Sequence, residues 1–243
     1  MMNIVRAYFE HYNVSGYVDE YYDADCPFST EPREFLEYAE ADLSSSEPQA
    51  SANSLSNSKR ALDCQLDFFL DAYGLSIVST QQKWSTARKI EIVGDIGGVP
   101  KGILHRINQA RNDLEHRYQP PNRMTAENAI DVVGLFIDAT DFYLHPVREG
   151  VDYDHLSFQE KKVLRLELSS KSGIISVGSR QKDGSSKQWD ERDIHFEVIA
   201  ADSLCDYLYL LSFILHAHRL GMKNAELFFR RLKYVNQPTH DGN

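Results

Sequence analysis

Between Pro32 and Pro146 the apolar residues recur at the three- and four-residue spacing of helices, and each run is closed by a glycine or a proline. Phe35, Leu36, Ala39 and Leu43 make one stripe, with Pro32 at a first helical position and Thr30 before it as a cap. Leu55, Ala61, Leu62, Leu66, Phe69 and Leu70 make a second, which Gly74 stops. Trp84-Ser85-Thr86 opens a short helix carrying Ile90, Val93 and Ile96 to Gly97-Gly98. Pro100 begins a helix over 101–118 that Pro120-Pro121 end, and Ile130, Val133, Ile137, Thr140 and Leu144 carry a last one from a Thr125 cap to Pro146. Helices this short and this firmly bounded bury their stripes only against one another, so 32–149 is expected to be a helical bundle. The Ser/Asn-rich stretch 44–58 is expected to be a connection between its first two helices.

The pattern changes after Gly150. Residues 163–168, 174–177 and 194–198 read as strands, two of them with alternating polarity, with Gly173 and Asp183-Gly184 as turns. Leu204 to Tyr234 reads as a helix bent near Gly221, which makes 150–243 a small β-sheet plus a C-terminal helix, an accessory region. Residues 1–31, rich in tyrosine and acids, are expected to form an N-terminal arm with a short helix around Ile4 to Tyr12. The fold class is α+β, mainly α. A chain of 243 residues with 42% hydrophobic content has enough apolar side chains for two such cores.

The formal charge of -10 argues against tight non-specific binding of nucleic acid, yet it is unevenly spread. Residues 1–47 contain 11 acids against Arg6 and Arg33, which leaves the remainder close to neutral. No apolar run approaches the roughly 20 residues of a membrane span, and no secretory leader pattern opens the chain, so a membrane-free cytoplasmic protein is expected. Cys26, Cys64 and Cys205 are odd in number and far apart in sequence, which predicts reduced thiols rather than a disulfide framework or a zinc site.

Chemistry concentrates in one place, Arg111-Asn112-Asp113-Leu114-Glu115-His116, at the end of the 101–118 helix. Arginine holds phosphate, histidine transfers protons near neutral pH, and asparagine orients either. In projection the apolar arc of this helix holds Ile103, Ile107, Ala110, Leu114 and Tyr118, while His105, Asn108, Asn112 and His116 lie opposite. Arg111 falls at the margin of the apolar arc. Arg-Asn-x-x-x-His-x-Tyr near a helix end, between an amphipathic helix containing Lys59 to Leu66 and a long apolar helix, resembles the HEPN family over roughly residues 33–146.

That resemblance implies an antiparallel helical bundle that dimerises through the 101–118 helix, so that two copies of the motif face each other. It further implies a metal-independent endoribonuclease with catalytic Arg111 and His116, used as a toxin or in phage defence, acting on RNA and requiring no cofactor. Asn112, Glu115, Asn108 and His105 are supporting residues. A possible antitoxin or nucleotidyltransferase partner belongs to the same picture. The alternative it implies is a non-catalytic module binding RNA, a nucleotide or a protein. Independent chemistry agrees, because metal-free cleavage needs a base for the 2'-OH, an acid for the 5'-oxygen and a cation for the phosphorane.

Competing readings are weaker. Arg6 and His11 repeat the Arg-x4-His spacing, but Tyr8 and Phe9 between them point to packing. His216 and His218 are two apart on a helix and diverge, which disfavours a metal. Tyr17, Tyr21 and Tyr22 are expected to pack as part of the arm on the bundle.

Overall fold

The computed structural model describes residues 1–9, 14–97, 99–117, 120–155, 162–181, 195–220 and 222–235; within these, nine side chains, including those of Arg111, Glu115 and His116, lie outside the description. In chain order the elements are α1 (Met2–Phe9), β1 (Val14–Tyr22), α2 (Pro32–Ser44), α3 (Ala50–Ala72), α4 (Ser76–Gln81), α5 (Thr86–Asp95) and α6 (Lys101–Arg117). They continue with α7 (Arg123–Leu144), β2 (Val147–His155), β3 (Lys162–Ser169), β4 (Ile174–Gln181), β5 (His195–Ile199), α8 (Leu204–His216) and α9 (Ala225–Phe229). The chain is α+β and divides into two compact units: Met1–Asp23 with Tyr73–Val78 and Pro146–Asn243, and Ala24–Ala72 with Ser79–His145.

The first unit is built on an antiparallel meander in the order β1-β2-β3-β4-β5. Three of its strands match the expected 163–168, 174–177 and 194–198, although Ile194 and the Asp183-Gly184 turn lie outside the described residues. Two strands are additions. Residues 14–22, expected as an irregular arm, form β1 and pair with β2 from Val14↔His155 to Tyr22↔Val147. The cause is non-local: this strand has no apolar alternation of its own, and it is held by a partner far along the chain. The expected arm 1–31 is thus split, its first part, to Asp23, belonging to the unit of the sheet and its last part, from Ala24, to the helical unit.

A stack of aromatic rings seals the unit's core. Phe9 of α1 lies on Phe213 of α8 with ring centroids 3.9 Å apart, Phe213 lies on Phe229 at 4.7 Å, and Tyr153 of β2 meets Phe9 edge-on at 4.9 Å. Arg6 bonds Asp206 at 3.0 Å and covers the Tyr209 ring, the packing expected of it; His11 lies outside the described residues. The C-terminal helix expected over Leu204 to Tyr234, bent or broken near Gly221, is α8, a 3-10 turn at Ala217–Arg219, and α9; Gly221 itself lies outside the described residues. His216 is fully buried against Phe228 at 4.7 Å.

Arg165 of β3 is 1% exposed. Its guanidinium bonds Asp19 of β1, Asp152 of β2 at 3.2 Å and Glu167 at 2.8 Å, with Glu20 of β1 at 3.2 Å. Burial alone would lower its pKa, and these carboxylates outweigh burial and raise it. Part of the acidity concentrated in the first 47 residues therefore balances one buried cation. Gly150 makes room for it, since a Cβ there would collide with the guanidinium.

The second unit is helical. α2 and α3 pack on each other and both pack on α7, while α6 touches α3, α5 and α7. α2 starts at Pro32 as expected, but Glu31 rather than Thr30 caps it, its backbone N–H bonding the Glu34 carboxylate at 2.7 Å. α3 starts at Ala50, so most of the expected connection is helix. Serine hydroxyls there return to the helix's own carbonyls, Ser56 to Ala52 and Ser58 to Ser54, both at 2.9 Å, and Ser54 and Ser58 are buried where larger side chains would separate the packed helices. The α7 cap is Asn122, which accepts from Thr125 N–H at 2.8 Å, three residues ahead of the expected Thr125.

Candidate active site on the sixth helix

α6 runs from Lys101 to Arg117 and so carries the motif from Arg111 to His116; its last residue, Tyr118, lies outside the described residues. The side chains of Arg111, Glu115 and His116 lie outside the described residues; those of His105, Asn108 and Asn112 are half-buried. Among the described side chains of this helix Leu104 and Ile107 are buried, at 1% and 6% exposure, while Leu114 is half-exposed; Ile103 and Tyr118 of the expected arc are not among them. The buried meridian is therefore rotated from the expected arc toward Leu104, because α6 packs against α5 as well as α3 and α7. In projection, helix position 111 falls between Leu104 and Ile107, and position 116 follows Asn112 by four residues on the polar side.

The polar side begins in an ionic cluster with α5. His105 Nε2 lies 2.7 Å from Glu91 Oε1, and Lys101 Nζ donates to Glu91 Oε2 at 2.6 Å and to Asp95 Oδ1 at 2.5 Å. Lys101, then His105, hold the Glu91 carboxyl below its ordinary pKa by hydrogen bonding. Burial pulls Lys101 down, and its bonds to Asp95 and Glu91 outweigh that and raise it. The stem of Lys101 crosses Gly94, where a Cβ would collide with it. His105 is thus a bridged residue joining two helices, and Asn108 and Asn112 continue the same face toward the helix end.

The other flank of α6 borders a groove of about 330 Å³ floored by Leu55, Ile107, Ala110, Ala129 and Val132, with Arg106, Thr125 and Asn128 also lining it. Thr125 is committed to its cap, donating to Asn122 at 2.9 Å. Arg106 and Asn128 are exposed. This groove, Glu91 and Lys101 were not foreseen in the sequence; the only signal was an acid on one helix matching a Lys-x3-His pair on the next. Among the described residues no group of three or more His, Cys, Asp or Glu could hold a metal ion, and no helix is long and apolar enough to cross a membrane.

Comparison with known proteins returns no matching family model, no matching curated protein and no matching solved structure.

Proposed function

We propose that the helical unit is a metal-independent endoribonuclease of HEPN type, acting as a homodimer through α6. The observation that carries this reading is the division of α6 into a buried side with Leu104 and Ile107 and a polar side on which His105, Asn108 and Asn112 remain half-accessible. Position 116, on the polar side four residues after Asn112, can meet a polyanion without dismantling the core, and position 111, in projection between Leu104 and Ile107, serves the same phosphate only through the length of an arginine side chain. In this reading His116 takes the 2'-OH proton, the 2'-oxygen attacks phosphorus, and the 5'-oxygen leaves with a proton from the second subunit's copy of the histidine. Arg111 offsets charge on the phosphoryl oxygens. The products are a 2',3'-cyclic phosphate and a 5'-hydroxyl end. A toxin or phage-defence role, with an antitoxin or nucleotidyltransferase partner, is the biological setting consistent with this activity. Purified protein incubated with mixed RNA in EDTA, beside His116→Ala, tests it: cleavage lost in the variant supports the reading, and no cleavage by the parent protein contradicts it.

The groove between α6 and α7 favours a second reading, a binding module without catalysis. Its aliphatic floor with an exposed arginine and an exposed amide at the edge suits a ligand or partner segment with an apolar body and a negative charge. Retained RNA binding with no cleavage products would favour it.

A further inference from the structure

The groove beside α6 owes its space to short side chains on two neighbouring helices. Ala110 of α6 and Ala129 of α7 each end in a single methyl, so the helices leave room between them, and the fully buried Leu55 of α3 closes the bottom. Thr125 and Val132 mark its extent along α7, about 10 Å apart at roughly 1.5 Å per residue. Its volume of about 330 Å³ holds on the order of ten water-sized groups at roughly 30 Å³ each. A space of that length and volume matches one aliphatic chain of roughly eight to ten carbons.

The walls decide what kind of molecule fits. Leu55, Ile107, Ala110, Ala129 and Val132 are all aliphatic, and none of the described lining residues offers an aromatic face on which a nucleobase could stack. The Thr125 hydroxyl is engaged in its cap, which leaves the exposed guanidinium of Arg106 and the exposed amide of Asn128 at the rim. No carboxylate is among the described lining residues. A guanidinium binds a carboxylate through two parallel N–H donors, and an amide N–H adds a third. The rim is therefore complementary to one negative charge, and the walls to a saturated tail.

We infer that this groove binds a single-chain fatty acid of medium length, its tail lying along α7 over Leu55 and its carboxylate at Arg106 and Asn128. The inference rests on the binding reading of the groove and names its ligand class. His105, Asn108 and Asn112 lie on the opposite flank of α6, so the acid leaves the polar side of the helix open. Each methylene taken from water tightens binding about fourfold, and a guanidinium at an exposed rim adds about fivefold. Affinity thus comes mainly from the tail, and the choice of head group from Arg106.

Calorimetric titration of the full-length protein at neutral pH, below micelle-forming concentrations, compares hexanoate, octanoate and decanoate with decanol and decyltrimethylammonium. The expected result is one site per chain that tightens about fourfold per methylene, binds decanoate about fivefold more tightly than decanol, and binds the cationic amphiphile least. These comparisons use the parent protein alone and depend on no variant folding. Arg106→Ala should remove the preference for decanoate and leave decanol binding unchanged, whereas Ala110→Leu, which fills the groove, should abolish both. No binding of any chain, equal affinity for the anionic and cationic amphiphiles, or decanoate binding indifferent to both variants would overturn the inference. So would RNA, an acidic amphipathic peptide or phosphatidylglycerol vesicles bound through Arg106 without uptake of decanoate, or self-association that Ala110→Leu abolishes without such uptake. Metal-free RNA cleavage is measured on the same preparations. Cleavage beside decanoate binding removes the non-catalytic reading and leaves the fatty-acid site; RNA binding with neither cleavage nor decanoate binding removes the site and leaves that reading.

Discussion

His105 Nε2 stands 2.7 Å from Glu91 Oε1, which ties the polar face of α6 to α5 at its first turns and leaves the last turns of the helix for chemistry. Lys101 shares the same carboxylate, so Glu91 is the hub of the cluster. His105→Ala is expected to keep most RNA cleavage and to cost about 0.5 kcal/mol or less, because both side chains are more than a third exposed and solvent screens the pair. Guanidinium unfolding and a cleavage assay on the same preparation check both halves.

Glu91 also predicts an acid dependence. Its folded pKa lies below its ordinary value of 4.5, so the stability it contributes is present above about pH 4.5 and is lost as pH falls through the folded value. Lys101 has the opposite sign: with a folded pKa above 10.5, its contribution is complete below that pH and disappears as pH rises through the folded value. Glu91→Gln should flatten the acid limb of a stability–pH curve, and Lys101→Met both limbs. Denaturant midpoints measured from acid to alkaline pH provide the check.

In the sheet unit Arg165→Ala is expected to destabilise by about 3–5 kcal/mol, because it strands the 1%-exposed Asp152 without its cation. Glu20→Ala, at the exposed side of the same guanidinium, should cost about 1 kcal/mol or less. Urea unfolding of the two variants distinguishes a buried pair from a screened one.

The core of α6 gives a graded prediction. Leu104→Ala removes a side chain 1% exposed and should cost about 2–5 kcal/mol, whereas Leu114→Ala, at a half-exposed position, should cost less than about half of that. Equal costs would mean that the expected apolar arc, centred nearer Leu114, describes the packing better.

The helices were legible because their signals are local: Pro32, Gly74, Ser85, Gly97 and Pro120 each act within a turn of their own residue. What was not legible depends on distant partners. β1 gains its identity from β2, and Arg165 from acids on two other strands. The serine-rich start of α3 reads as a linker because serine hydroxyls compete for backbone bonds in isolation, while in the packed helix those of Ser56 and Ser58 return to carbonyls one turn back. At the site, the motif's place on a helix was readable. The rotation of the buried meridian toward Leu104 was not, since periodicity reports how apolar residues are spaced and not how many neighbours a helix has.

The central claim rests on Arg111 and His116, and the most direct test is an RNA cleavage time course in EDTA for the parent protein, Arg111→Ala and His116→Ala, with end-group analysis of the products. The account predicts metal-free cleavage leaving 2',3'-cyclic phosphates, reduced by about 10²–10⁴-fold in His116→Ala and strongly reduced in Arg111→Ala at unchanged helicity. Undiminished cleavage in both variants, or cleavage that stops when divalent ions are chelated, would contradict it.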